Sequence, residues 1–313
     1  MIEGRSDAAC CATVLLAILA LSGCGQTSEN PAPAATPAQA ASERFPDPPG
    51  GEISVTYVAN EGFLISAGET KVLVDALYRE GVPGYEVIPE ERRELLETAA
   101  PPFDGVDLIL ATHFHPDHFD AHAVGRHLTS NPAARFVTTE QTRNQMRDLF
   151  PEFEVVGDRV IGITPAEGTI REVAGIHEAT GVGLRVANLH HGRDRPIENI
   201  GFLIDIGGMR LLHVGDTEAL APDYARYDLV SEKIDVAFLP FYQLVFDTWR
   251  ASVPPAIDAD RIVIMHVPEA GVDEEYIANL GGREKMLADI QDEFPESLLI
   301  PDPMQSVTIL SIR

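Results

Sequence analysis

Residues 111–120 read ATHFHPDHFD and directly follow the apolar run Val106-Asp107-Leu108-Ile109-Leu110. Three histidines and two aspartates fall within eight positions. The stretch VDLILATH is nearly all apolar, so it is predicted to be a strand buried on both faces. His-x-His at a strand end puts two imidazoles on the same side. Pro116 then breaks the strand, and the turn lets Asp117 and His118 face a second point nearby. Two adjacent ligand sets follow: His113 with His115, and Asp117 with His118. Imidazole and carboxylate suit zinc, and also iron or manganese. The competing reading is a polar surface turn with solvated histidines. The pattern after a buried strand is far more specific than a lone histidine pair.

No thiolate is available to complete such a site. The three cysteines, Cys10, Cys11 and Cys24, all lie near the N-terminus. A metal in the main body of the chain must therefore be held by histidines and carboxylates, and no disulfide framework supports the fold. The formal net charge of −26 repels phosphate backbones and argues against a nucleic-acid partner.

The N-terminus reads as an address. ATVLLAILAL (Ala12–Leu21) is too short to span a bilayer as a helix and suits the apolar core of an export signal. Leu21-Ser22-Gly23-Cys24 resembles the bacterial lipoprotein box, which implies that Cys24 becomes a lipidated N-terminus. Arg5 stands against Glu3 and Asp7, whereas export signals favour net positive charge. Residues 1–24 are thus expected to form a lipoprotein-type signal. Residues 25–50, rich in Pro, Ala and Ser, are expected to form a flexible tether. The chain would then face the periplasm or exterior, anchored to a membrane.

From Gly51 the pattern changes to short apolar runs. ISVTYVA (Ile53–Ala59), GFLISA (Gly62–Ala67) and TKVLVDA (Thr70–Ala76) read as strands, with a turn signal between the last two. A helix is expected in PEERRELLETAA, opened by Pro89 and stopped by Pro101-Pro102. Helical patterns follow at Ala121–Leu128, Thr139–Leu149 and Glu284–Glu293. Further strands are expected at Phe136–Thr138, Arg159–Ile163, Ile170–Ala174 and Gly183–Leu189, then in IGFLIDIGGMRLLHVGD, IDVAFLP and DRIVIMH. Two groups of strands interleaved with helices suggest an α/β layered domain over residues 51–313.

THFHPDHFD resembles the His-x-His-x-Asp-His signature of the metallo-β-lactamase-fold hydrolases. That resemblance implies an αβ/βα sandwich of two mixed β-sheets flanked by helices, with a one- or two-metal site at the sheet edges. It also implies three further ligands in fixed order: a histidine at a strand end, an aspartate in a Gly-Asp-Thr-like turn, and a histidine after a late apolar strand. VANLHHGRDRPIENIGFLIDIGG, LLHVGDTE and RIVIMHV supply these pieces in that order. Strand alternation turns His190 and His191 to opposite faces, so only one reaches the metals. The family pattern favours His191, followed here by Gly192. His190 is then a core residue or a support behind the ligands.

By the same resemblance, His113, His115 and His191 hold one divalent ion. Asp117, His118 and His266 hold a second, and Asp216 bridges the two. The ions are expected to be zinc, with manganese or iron as alternatives. A water between them would be activated as nucleophile, with Asp117 as the residue orienting it. Asp75, at the end of TKVLVD, is a candidate to support a metal histidine by hydrogen bonding, or else a strand-end cap.

HFD after the signature resembles the broad branch with ascorbate-phosphate lactonase-like and phospholipase D-like proteins. The phospholipase D-like members carry His-Trp-Ser at the third histidine, where this chain has His191-Gly192. The implied activity is hydrolysis of a small-molecule ester, lactone or phosphodiester. A sensing lipoprotein and a di-iron redox protein would use the same ligands. Leu77–Phe103 and Pro240–Pro255 are expected to shape the pocket, with Arg250 as a candidate for binding a substrate anion. Oligomeric state is not encoded in any of these features.

Overall fold

A computed structural model describes residues 51–271 and 275–312. The signal-type segment, the tether and Cys24 lie outside the described residues.

The chain enters through β1 (Glu52–Ala59), β2 (Gly62–Ala67) and β3 (Thr70–Val74), joined as antiparallel neighbours. β4 (Leu108–Leu110), β5 (Arg135–Thr138) and β6 (Val160–Gly162) extend the sheet in parallel. Period-two alternation decides what each face meets. Val72, Val74, Leu108 and Leu110 enter the core between the sheets. Leu73 and Ile109, one residue out of phase, enter a separate core on the outer face. Each such buried aliphatic contributes about 1.5–3 kcal/mol of transfer free energy.

The outer core is roofed by α1 (Glu90–Glu97), α2 (Ala121–Ser130) and α3 (Glu140–Leu149), through Leu96, Val124, Leu128 and Met146. Capping explains where α2 and α3 begin. Asp120 accepts from the Ala123 amide at 2.8 Å, and Thr139 accepts from the Thr142 amide. The last acid of the HFHPDHFD stretch is therefore a helix cap.

The second sheet uses β7 (Ile170–Glu172), β8 (Gly183–Asn188), β9 (Ile200–Ile206), β10 (Met209–His213), β11 (Val236–Pro240) and β12 (Arg261–Met265), in spatial order β12-β11-β10-β9-β8-β7. β7 to β10 pair antiparallel, and β10 to β12 pair parallel. Two mixed sheets with helices flanking them form the expected sandwich.

Two expectations are corrected. The strand read over VDLILATH is regular only at Leu108–Leu110, because Thr112 turns its amide to the Asp75 carboxylate instead of a neighbouring strand. The described residues also include a further strand, β13 (Ser306–Leu310), which pairs antiparallel with β1 at the sheet edge. Ile309 of β13 is buried and Val307 half-buried, while Ser306, Thr308 and Leu310 are exposed, so one face alone meets the core.

Candidate metal centre

Every candidate ligand lies just beyond the carboxyl end of a strand. The HFHPDH residues follow β4, His191 follows β8, Asp216 follows β10 and His266 follows β12. Asp75 follows β3, and the turn from β1 to β2 adds Asn60 and Glu61. The backbone there is bent out of its ordinary range. Asn60, Asp75 and His266 take φ of 50°, 45° and 53°, in the left-handed region that L-residues occupy at a cost. Gly215, beside Asp216, has φ of 63°, and a Cβ on it would lie 2.7 Å from the Asn199 Oδ1 and from the Thr112 Cβ. Only glycine lets that turn approach so closely.

The side chains gather in two groups. In the first, His113 Nε2 is 2.9 Å from His115 Nδ1, and His191 Nε2 is 3.3 Å from the same atom. Asp216 Oδ2 lies 3.4 Å from His191 Nε2. In the second, Asp117 Oδ2 is 3.7 Å from His118 Nε2 and 3.9 Å from His266 Nε2. Asp216 Oδ2 also lies 3.8 Å from His266 Nε2, so one carboxylate oxygen faces both groups. Donor atoms around one tetrahedral zinc stand about 3.3 Å apart. The donor set fits cations in another respect: His118 Nε2 and Asp117 Oδ1 are buried with no hydrogen-bond partner in the protein.

Other side chains hold these groups in place. Asp75 is fully enclosed. Its Oδ2 accepts from His118 Nδ1 at 2.9 Å and from the Thr112 hydroxyl at 2.7 Å, and its Oδ1 accepts from the Thr112 amide. This leaves His118 Nε2 pointed at the second group. Asn60 donates to Asp117 Oδ2 at 3.1 Å, and Tyr242 donates to Asp216 Oδ1 at 2.7 Å. The Tyr85 ring stands edge-on to His266 at 4.2 Å.

The electrostatics follow from this crowding. Burial and the surrounding histidines hold His113 well below the usual imidazole range. Burial also lowers His115, His191 and His266. Burial would lower His118 too, but Asp117, Asp75 and Glu61 overcome it and push that imidazole up to about 10. Burial opposes ionisation of Asp216, yet His266, His191 and His118, with the Tyr242 hydroxyl, bring it down to about 2.

The structure brings His113, His115, Asp117, His118, His191, Asp216 and His266 together, and it places Asp75 behind His118. It does not bring His190 to them. That ring turns to Asp223, with Nε2 3.2 Å from Oδ2, so the expectation of a support behind the ligands is corrected. Its backbone oxygen instead accepts from the Glu218 amide and the Thr217 hydroxyl, bracing the chain after Asp216. Arg250 is likewise corrected as an anion binder. It pairs with Asp247 and Glu293, away from the ligands. From that segment it is Tyr242 that reaches the centre. Glu61, Asn60 and Tyr242 carry no motif, and only the fold shows their place.

Two cavities are lined by residues adjoining the ligands, though none of the seven ligands lines either one. One, of about 350 Å³, is lined by Asn60, Met265 and Val267, with Tyr57, Glu86 and Arg283 beyond. The other, of about 380 Å³, is lined by His190, Gly192, Arg193 and Arg195 among others. Both arginines are engaged, Arg193 with Asp223 and Arg195 with Glu218.

Residues 70–288 match the Beta-lactamase superfamily domain. The chain is similar to a UPF0173 metal-dependent hydrolase of Pyrococcus abyssi, 27% identical over 190 residues, which is 60% of this chain and 72% of the relative. It is also 28% identical over 195 residues to Protein Rv0786c of Mycobacterium tuberculosis, covering 58% of this chain and 77% of that one. Among solved structures, Igni18, a metallo hydrolase from Ignicoccus hospitalis, aligns with a TM-score of 0.55 at 16% identity over 82% of this chain and 98% of its own. CmlA, a diiron beta-hydroxylase from Streptomyces venezuelae, aligns with a TM-score of 0.51 at 17% identity over 84% of this chain and 54% of its own. At these identities the structures speak to the fold alone.

Proposed function

The chain belongs to the Beta-lactamase superfamily domain family and is a metal-dependent hydrolase, and from that premise we propose that it cleaves a small ester, lactone or phosphodiester at a two-metal centre. The observation that carries this reading is the position of Asp216. One of its oxygens faces both His191 and His266, so it is placed to join two ligand groups. His113, His115 and His191 would hold the first ion, and Asp117, His118 and His266 the second. Zinc suits the imidazole-rich set, and manganese or iron suit it as well. Bound divalent ions supply acidified water and polarise the substrate oxygen.

The protein's own part is orientation. Asn60 fixes the Asp117 carboxylate, which would orient the attacking water. Tyr242 holds Asp216, and Asp75 holds the His118 ring by its Nδ1. A cavity of about 350 Å³ beside Asn60 and Met265 suits a small molecule in size.

The test is metal content together with chelator-sensitive turnover. Purified protein is assayed on generic esters, lactones and bis-p-nitrophenyl phosphate, before and after chelation and after adding zinc, manganese or iron back. Restored hydrolysis of one class identifies the bond cleaved. Chelation that leaves every rate unchanged would sink the two-metal reading.

We further propose that Cys24 carries lipid and that residues 25–50 tether the domain to a membrane of the cell envelope. The support is the Leu-Ser-Gly-Cys sequence and the tether composition. Among the described residues no helix is long and apolar enough to cross a membrane. Incorporation of labelled palmitate into wild type but not into Cys24→Ala is the expected result. Equal release of both proteins into the soluble fraction would remove the proposal.

A further inference from the structure

Glu61, in the turn between β1 and β2, belongs to none of the ligand positions described so far. Its side chain is fully enclosed. Neither of its carboxylate oxygens has a hydrogen-bond partner in the protein. A buried carboxylate in that state is strongly disfavoured unless a cation compensates it. Its surroundings add to the demand, because Asp216, Asp75 and Asp117 all stand close enough to oppose its ionisation. His118 does not satisfy it. Glu61 Oε2 is 3.7 Å from His118 Nδ1, which already donates to Asp75 at 2.9 Å.

The backbone keeps Glu61 in place. His213 Nε2 lies 3.2 Å from the Glu61 carbonyl oxygen, within hydrogen-bond distance. The following Gly62 is so tightly packed that a Cβ there would lie 2.9 Å from the Asp75 carbonyl oxygen. The side chain is thereby held among the metal residues. One of its oxygens lies within 4.8 Å of ligand atoms of both Asp216 and His266.

We propose that Glu61 is a further carboxylate ligand of the second metal position, beside Asp117, His118, Asp216 and His266. The proposal rests on the two-metal reading above. It makes the two positions chemically unequal. Three imidazoles dominate the first, which suits zinc, whereas three carboxylates dominate the second, which suits the oxygen-preferring manganese or iron. It also balances charge: Glu61, Asp75, Asp117 and Asp216 are four buried or nearly buried acids facing two divalent ions.

The test is made on the full chain, stripped of metal and titrated with Mn²⁺. Bound ions are counted by mass spectrometry and followed by Mn²⁺ electron paramagnetic resonance. Thermal melts are recorded with and without metal. Wild type is expected to take two ions. Glu61→Gln is expected to keep one and to bind the other at least about 10-fold more weakly. The rise in melting temperature on adding metal should be smaller for Glu61→Gln than for wild type. If Glu61→Gln does not fold, Glu61→Asp, shorter by one methylene, should show a weakened second ion and an altered resonance. Second-ion affinity equal to wild type in whichever variant folds overturns the proposal. Wild type that takes two ions while the variant matches it removes the role of Glu61 alone. Wild type that takes up no metal removes the hydrolase centre and this ligand together.

Discussion

β8 and β10 each carry an arginine on the way to a metal residue, and the two regions solve burial of charge in opposite ways. Early in these strands, Arg185 forks onto Glu232 with contacts of 2.9 and 2.8 Å. Arg210 donates to Asp205 at 2.7 Å and to the Glu232 carbonyl oxygen. Asp235 accepts the Arg210 amide. Opposite charges are paired there, two arginines against Glu232, Asp205 and Asp235. The charge is thus answered within the protein, even though Arg210 Nη2 and Asp205 Oδ2 are buried without a hydrogen-bond partner. Past the ends of the same strands, His191 and Asp216 join a group made of carboxylates and of imidazole nitrogens that face one another. That cluster has acceptors in excess, and a cation is what matches them. The lesson is that burial alone does not mark a functional site. The mark is a buried group of metal-ligating side chains whose carboxylates have, among the described residues, no arginine or lysine set against them.

The comparison is broken or sharpened most strongly by Glu232→Gln. It removes the buried carboxylate that Arg185 forks onto and is expected to cost about 3–5 kcal/mol in chemical denaturation, with or without metal. Asp117→Asn in metal-free protein should cost less than Glu232→Gln, since Asp117 stands 3.7 Å from His118 Nε2 and makes no forked contact to an arginine. A metal-free Asp117→Asn protein as destabilised as Glu232→Gln would erase the distinction between the two regions.

The next effect concerns a buried imidazole that has neither a carboxylate nor a cation. Burial, opposed by the Leu96 carbonyl oxygen near its Nδ1, holds His127 down to about 4 from 6.5. Below pH 6.5 the unfolded chain takes up a proton that the folded state refuses until about pH 4. Stability is therefore lost as pH falls through that window, by about 3 kcal/mol. Urea melts of wild type and His127→Gln across pH 7 to 4 should converge as pH falls. Parallel curves would show that another group governs the acid limb.

Asp75→Asn should weaken metal binding about 10- to 100-fold, by removing the acceptor that orients His118, and should leave the fold intact by circular dichroism. Tyr242→Phe is the mildest change. It deletes one hydroxyl from Asp216 and should lower kcat/KM by about fivefold, the equivalent of about 1 kcal/mol. An unchanged rate in Tyr242→Phe would show that the adjoining ligands alone hold Asp216.

Much of the centre was legible before any fold was known, because its chemistry is local. His113, His115, Asp117 and His118 lie within one turn after an apolar strand, and residue type and spacing suffice to read them as a ligand run. His191, Asp216 and His266 were readable by order, each at the end of an apolar run. Glu61 was not. It is one acid among 49 Asp and Glu residues, and its neighbours Asp216 and His266 arrive from β10 and β12, far along the chain. Tyr242 was hidden in the same way, while Arg250 stood out for its charge and proved to be paired at the surface.

The amino-acid sequence by itself determined that this chain gathers imidazoles and carboxylates for a cation, since donor identity and short-range spacing are properties of consecutive residues. Only the tertiary structure decided that His191 enters while His190 turns to Asp223, that Asp216 faces both groups, and that Glu61 is enclosed without a partner. The physical reason is distance. Coulomb attraction, desolvation and hydrogen bonding depend on separations of a few ångströms, and for residues on β1, β8, β10 and β12 those separations exist only once the two sheets have packed.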